Sequence, residues 1–237
     1  MNVLLFQPGA CDDAGQLRVT GRQLQHLREV HRAGPGDSLR VGEINGQLGR
    51  AEILGLEDDH ALLQVTLDQP PPPRLPVILV VALPRPKMLR RLLRSAAEFG
   101  VEELHLIHSY RVEKSYWQTP VLQQDTIRDY FLQGAEQARD TRLPHLSLHR
   151  RFRPFVEDQL PGLIAGREGL LAHPGEAPPC PTGGESRPRL LVVGPEGGFI
   201  AWEVEKLLAA GCRQVSLGPR ILRVENAVGV LLGRLLN

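Results

Sequence analysis

Cysteine is scarce: Cys11, Cys180 and Cys212 are odd in number and far apart, which excludes a disulfide framework and a cysteine-ligated metal site. The expectation is free thiols, a reducing cytoplasmic setting and no metal. No run approaches the roughly eighteen apolar residues a membrane-spanning helix needs. The opening stretch MNVLLFQPGACDDAG has neither a basic region nor a full apolar segment, so it reads as no signal peptide. Excess charge is also missing, since the formal net charge is only +1. Total charge therefore says nothing about a polyanionic partner. Lysine is rare in a way that total hides: 25 of the 28 basic residues are arginine. They cluster at Arg85/Lys87/Arg90/Arg91/Arg94, at Arg139/Arg142 and at Arg150/Arg151/Arg153. A planar guanidinium donates in pairs to phosphate, although such runs also coat solvated faces.

The chain is organised around 190–199 (LLVVGPEGGF) and 215–227 (VSLGPRILRVENA). In each, a short apolar run stops in a glycine turn. Leu190–Val193 reads as a strand buried on both faces, 200–210 as a helix closed by Gly211, 215–217 as a second strand and 224–236 as the last helix. Paired strand–turn–helix units make a ligand crevice at the carboxyl ends of a parallel sheet. Two nucleotide signatures are absent from it. A dinucleotide fingerprint needs glycine where Glu196 stands, and a phosphate-binding P-loop needs Gly-Lys-Ser/Thr where Gly-Gly-Phe stands. The chemistry alone suits a partly apolar ligand held by backbone groups, with Arg220, Arg223 and Glu225 at the edge.

Upstream, residues 1 to about 67 read as all-β. Short alternating runs at 16–19, 38–41, 47–54 and 61–66 are separated by turn residues, including Asn45-Gly46, with one helix over 24–31. So many short strands in so small a space predict a barrel. Four consecutive prolines within 70–76 predict an extended spacer and the domain boundary. Beyond it, strands at 77–83, 104–107, 146–148 and 169–172 alternate with helices at 87–99 and 121–138. That alternation predicts an α/β domain with a mainly parallel sheet. The first helix carries an expected stripe of Met88, Leu92, Leu93, Ala96 and Phe99. The stretch 177–189 (APPCPTGGESRPR) reads as a mobile loop.

GPEGGF followed by LGPRILRVENA resembles the paired signature of the SPOUT methyltransferases, most closely the ribosomal RNA small-subunit methyltransferase E family. PKMLRRLLRSAAEFGV, GAEQARDTRLP and LLAHPG extend the resemblance over nearly the whole chain. It implies an α/β trefoil-knotted SPOUT methyltransferase domain (77–237) behind a small PUA-like RNA-binding β-barrel domain (1–69), with a linker at 70–76. It implies a homodimer with α-helical residues 224–236 at the interface. The implied reaction is S-adenosyl-L-methionine-dependent methylation of N3 of a uridine in 16S ribosomal RNA of the small (30S) subunit, in the decoding region. Leu171, His173, Gly194, Glu196, Gly197, Gly198, Leu217, Gly218, Ile221 and Leu222 would hold the cofactor, with Glu196 either on ribose hydroxyls or holding its own turn. Arg223 and Glu225 would be catalytic, as anion stabiliser and base, or else a salt bridge to one another. His26, Arg32, Arg90, Arg94, Arg139, Arg142 and Arg220 would meet RNA.

The chain departs from the family pattern at Ser95, Asp140, Asn226 and Ile200. The first three bear on the RNA target, and Ile200 loses a helix N-cap. They leave open a non-catalytic, cofactor-binding assembly factor or a different RNA substrate.

Overall fold

The computed structural model describes residues 2–31, 34–183 and 187–236. The chain forms two compact units, Met1–Pro73 with Leu132–Leu143, and Arg74–Phe131 with Pro144–Asn237. Residues 132–143, expected in the second domain, thus pack with the first unit.

In the first unit β1 (Leu4–Phe6), β2 (Gln16–Val19), β3 (Ser38–Glu43), β4 (Leu48–Leu56) and β5 (Ala61–Gln69) form a sheet in the order β1-β3-β4-β5-β2. All its pairs are antiparallel except β1 with β3. Among the described residues no ladder joins β1 to β2, so backbone pairing leaves open an order expected to close as a barrel. Burial alternates strictly over the middle of β4, as a half-buried strand requires. At Gly49 a Cβ would lie 1.9 Å from the Thr66 carbonyl oxygen, so only glycine fits this irregular point of the β4–β5 ladder. The expected helix begins earlier, as α1 (Gly21–His26), and continues as a π-turn over Leu27–His31. Leu24 and Leu27 enter the core formed by Leu4, Phe6, Leu17, Val41, Ile53 and Leu63. β1 was not anticipated. Its other face, with Val3 and Leu5, packs on Ile44, Ala135, Leu132 and Leu143. Burial on both faces makes a continuous apolar run rather than an alternating one.

The second unit opens with β6 (Leu75–Ala82), which starts inside the expected spacer. There follow α2 (Pro86–Glu98), β7 (Val101–Ile107), α3 (Gln124–Ala138), whose last residues belong to the first unit, and β8 (His145–His149). Next come α4 (Phe152–Pro154), α5 (Leu160–Ile164), β9 (Glu168–Ala172) and β10 (Arg189–Val193). α6 (Ala201–Ala209), β11 (Cys212–Val215) and α7 (Val224–Leu236) complete it. The strands form an all-parallel sheet in the order β11-β9-β10-β6-β7-β8. Every residue of β10 is buried. Each large aliphatic side chain so placed contributes about 1.5–3 kcal/mol.

Several boundaries moved for identifiable reasons. Pro86 opens α2, where a missing N–H costs nothing, and the buried stripe is Leu89, Leu92, Leu93, Ala96 and Ala97, so Met88 and Phe99 sit at its edge. α3 begins after a separate 3₁₀ turn over Pro120–Leu122, capped by the Thr119 hydroxyl accepting from the Val121 N–H. The helical run from α4 to α5 was not anticipated; it buries Phe152, Phe155, Val156 and Leu160. β11 ends at Val215, short of the expected 215–217. Ser216 instead bridges Pro179, with its N–H donating to the Pro178 carbonyl (2.9 Å) and its carbonyl accepting from the Cys180 N–H (2.9 Å). The Arg234 guanidinium of α7 donates twice to the Cys180 carbonyl, at 3.1 and 2.8 Å. The described part of the expected loop is therefore tied down.

At the β7–β8 edge a hydrogen-bonded chain runs from Glu103 to His105 Nε2 (3.0 Å) and from His105 Nδ1 to His149 Nε2 (3.0 Å). Burial holds both imidazoles below the usual histidine range, and the Glu103 carboxylate offsets this only partly at His105. The unfolded chain therefore takes up protons below about pH 6.5 that the folded chain refuses. This contribution to stability is complete above that pH and is lost as pH falls through the depressed folded values. A series of thermal melts between pH 7.5 and 5.5 should show Tm falling with pH, and His149→Gln should flatten that slope.

Candidate active site

A cavity of about 770 Å³ opens where β9, β10 and β11 end. Its walls are Ala172–Ala177 after β9, the turn after β10, the segment Val215–Val224, and Ala227 and Leu231 of α7. The two glycine turns are thus brought to one place. Gly175, Gly198 and Gly218 have φ of +129°, +72° and +101°, a region that side-chain-bearing residues avoid. At Gly194 a Cβ would stand 3.1 Å from the Phe199 ring. The walls are accordingly backbone and apolar side chains, with His173, Glu176, Glu196, Arg220 and Arg223 among them, a surface for a partly apolar ligand read by amides and carbonyls.

Of the expected cofactor residues, His173, Gly194, Glu196, Gly198, Leu217, Gly218, Ile221 and Leu222 line this cavity. Leu171 does not. It is fully buried within β9, and the wall begins one residue later. Gly197 also lies outside the lining, its carbonyl accepting a hydrogen bond from Arg111. Glu196 lines the cavity and also accepts from the Arg85 N–H at 3.3 Å, next to the start of α2. His173 is half-buried, and burial first, then the nearby Arg111 charge, holds its imidazole below the usual range. A neutral ring faces the cavity at neutral pH.

Arg223 and Arg220 lie on the rim. Glu225 does not: it turns toward α2 and pairs with Arg91 at 3.8 Å, while its side chain is nearly buried. The expected Arg223–Glu225 pair is therefore not formed, and the carboxylate instead ties the first turn of α7 to α2. Among the other arginines, Arg90 is exposed and Arg94 lies over the Tyr130 ring at 5.1 Å. In the first unit His26 is half-buried and Arg139 is exposed with φ +59°. The Arg142 guanidinium is only partly exposed and sits 3.8 Å from the buried Asp140 carboxylate, which also accepts from the Arg142 N–H (2.9 Å). Asp140 thus engages Arg142 locally. Arg32 lies outside the described residues.

Sequence reasoning missed Glu203 and Arg111. Glu203 is buried at the third position of α6 and accepts from the Ile200 N–H (3.1 Å), the Tyr110 N–H (2.8 Å) and the Ser109 hydroxyl (3.3 Å). The Ile200 side chain has no acceptor, so only the reciprocal half of a capping box exists, and the carboxylate supplies it. One side chain thus ties the turn after β10 to the loop after β7. The signal was available in Ile200-Ala201-Trp202-Glu203, an N3 glutamate behind an apolar N-cap. Arg111 packs its stem against Gly197. Glu203→Ala leaves buried donors without an acceptor, which costs about 1–3 kcal/mol. Calorimetry should show Tm lower by roughly 2–12 °C, at about 2–4 °C per kcal/mol for a chain of this size.

The chain is similar to known proteins over most of its length. Residues 71–236 match the RNA methyltransferase domain family. Ribosomal RNA small subunit methyltransferase E of Treponema pallidum is 29% identical over 242 residues, covering 96% of this chain and 87% of that protein. The Synechocystis protein of the same name is 29% identical over 231 residues, covering 92% and 71%. The crystal structure of ribosomal RNA small subunit methyltransferase E from Neisseria gonorrhoeae, bound to S-adenosyl methionine, superposes with a TM-score of 0.75 at 20% identity, covering 98% and 95% of the two chains. The family match takes in both glycine turns and the whole parallel sheet, and the chain belongs to the RNA methyltransferase domain family.

Proposed function

We propose that this protein transfers a methyl group from S-adenosylmethionine to N3 of a uridine in 16S ribosomal RNA of the small subunit, in the decoding region. The observation that carries the reading is the convergence of both glycine turns on one cavity with Arg223 on its rim. The cavity suits the donor: about 770 Å³ lies within the usual range for a small-molecule site. Gly194 and Gly198 give backbone access, Leu217, Ile221 and Leu222 offer apolar contact for adenine, and neutral His173 adds no charge. The bound donor supplies a methyl group already activated on a sulfonium.

The protein's own residues do the rest by position and electrostatics. Uracil N3 carries a proton and lies on the pairing edge, so the base must be unpaired or flipped to reach the cavity. Arg223 stabilises negative charge on a uracil carbonyl, which lowers the cost of passing the N3 proton to solvent as the N3–carbon bond forms. Arg220 on the same rim meets phosphate. Among the described residues neither has an ion-pair partner, so both are available to a ligand. Glu225 positions α7 through Arg91 and does not act as the base.

The same reading takes the carboxyl-terminal part as a trefoil knot. The Cys180 carbonyl held by Arg234, and Ser216 laid against Pro178–Cys180, support it by tying the β9–β10 connection to α7 and the second turn. The mixed five-stranded sheet supports a PUA-like RNA-binding role for the first unit. The setting is the cytoplasm. The working unit is a homodimer, for which the exposed Val230 and Leu236 of α7, at 47% and 50%, provide apolar surface. Sedimentation equilibrium should show a dimer; an active monomer overturns that part.

The direct test is labelled methyl transfer to small subunits from a strain lacking the gene, with nucleosides analysed by mass spectrometry. The expected product is 3-methyluridine. Arg223→Ala should lower kcat by about 10²–10³-fold, the usual loss for one anion-stabilising donor. Any other methylated nucleoside overturns the atom assignment, and no transfer overturns the enzyme.

A further inference from the structure

The loop over 108–118, between β7 and α3, is not used by the reading above. Of the chain's three tyrosines and two tryptophans, Tyr110, Tyr116 and Trp117 fall here, with Arg111 and Lys114 between them. Aromatic rings interleaved with basic side chains are the pattern of single-strand recognition, in which bases stack and phosphates meet cations. We infer that this loop is a stacking platform for single-stranded RNA beside the cavity, and that the Tyr110 ring packs on a base of the bound strand.

The three aromatic residues are not equivalent. Trp117 is buried, its indole N–H donates to His108 Nδ1 at 3.0 Å, and the Arg150 guanidinium covers its ring at 5.1 Å. The Tyr116 hydroxyl donates to Glu113 at 3.0 Å, and its ring is half-buried. Tyr110 is 77% exposed. Exposure alone would mean little for a residue with a hydroxyl. The backbone beneath Tyr110 is what gives it meaning: its N–H is held by Glu203, the preceding Ser109 is buried and bonded to the same carboxylate, and Val112 N–H closes a turn on the Ser109 carbonyl at 3.0 Å. An open ring on a fixed loop loses little freedom when a base stacks on it.

Its location is equally specific. The next residue, Arg111, packs on Gly197 and bonds to that carbonyl, and Gly197 adjoins Gly198 of the cavity wall. The ring therefore stands one residue from a side chain that touches the turn bounding the cavity. Arg111 and Lys114 are exposed on the same loop, placed for the phosphates of a strand whose base lies on Tyr110.

This inference rests on the RNA-methyltransferase reading for its context, and its test separates the two. A fluorescent, short, uridine-rich single strand is titrated with the full chain and with Tyr110→Ala and Tyr110→Phe, alongside calorimetric titration with S-adenosylmethionine and thermal melts. Tyr110→Ala should weaken strand binding by about 5- to 150-fold, the range for losing one base–aromatic stack. Tyr110→Phe should keep wild-type affinity, and donor affinity and Tm should be the same in all three proteins. Equal strand binding by Tyr110→Ala overturns the platform, as does equal loss in the alanine and phenylalanine variants or no strand binding by the wild type. Loss of strand binding in Tyr110→Ala without any methyl transfer by the wild type sustains the platform and overturns the enzyme. Methyl transfer with an unchanged RNA KM in Tyr110→Ala does the reverse.

Discussion

β10 is the constraint from which the site follows. It lies between β6 and β9, paired in parallel with both, and all of its residues are buried. Its register sets Val193 opposite Ala172, and the β9–β11 register sets Val215 opposite Ala172 as well. Three strands therefore end in one row, and whatever follows each of them must share the same space. A strand apolar on both faces carries little register information in its side-chain pattern. The opposite end supplies it. The Glu168 carboxylate of β9 accepts from Arg189 of β10 (3.1 Å) and Arg213 of β11 (2.9 Å). Burial would raise that carboxyl, but the two guanidiniums outweigh it and hold it below the usual range. A charged cluster at the amino ends thus locks the geometry of a cavity at the carboxyl ends.

The turn after β10 needs a second restraint, because a glycine-rich segment is costly to order. Glu203 provides it. An N-cap side chain at position 200 would have secured α6 alone, by satisfying one of its first N–H groups. A carboxylate from the third position secures α6 and also reaches across to Ser109 and Tyr110. The apolar N-cap is therefore compensated in a way that couples two loops at the site, which a serine or threonine could not do at that length.

Much of the fold was legible in the sequence because the relevant signals are local. The alternation in β4, the apolar run of β10, and Gly211 after α6 each announce an element by its own residues. The convergence of the two glycine turns was legible too, since parallel strands of similar length put their carboxyl ends together. What escaped depends on partners remote in sequence. β1 was hidden because its two faces are covered by different clusters, one of them built on 132–143. The tethering of 178–180 was hidden because it depends on Ser216 and Arg234. At the site, the resemblance put Glu225 beside Arg223, whereas the start of α7 turns its carboxylate toward Arg91. Spacing told which residues were near the cavity and not which way they faced.

The arginine-rich composition deserves the same distinction. Arginine suits phosphate, yet many of these side chains are consumed internally: Arg22 by Glu136, Arg153 by Glu157, Arg189 and Arg213 by Glu168, Arg234 by a backbone carbonyl, Arg94 and Arg150 by aromatic faces. A guanidinium so used contributes little to the field a distant polyanion meets, and with a net charge of +1 long-range attraction is weak. Selectivity for nucleic acid must then arise at short range, where position matters more than total charge. Arg220 and Arg223 lie on the cavity rim without an ion-pair partner among the described residues. Their separation from the internal pairs is a property of the fold, invisible in the count of arginines.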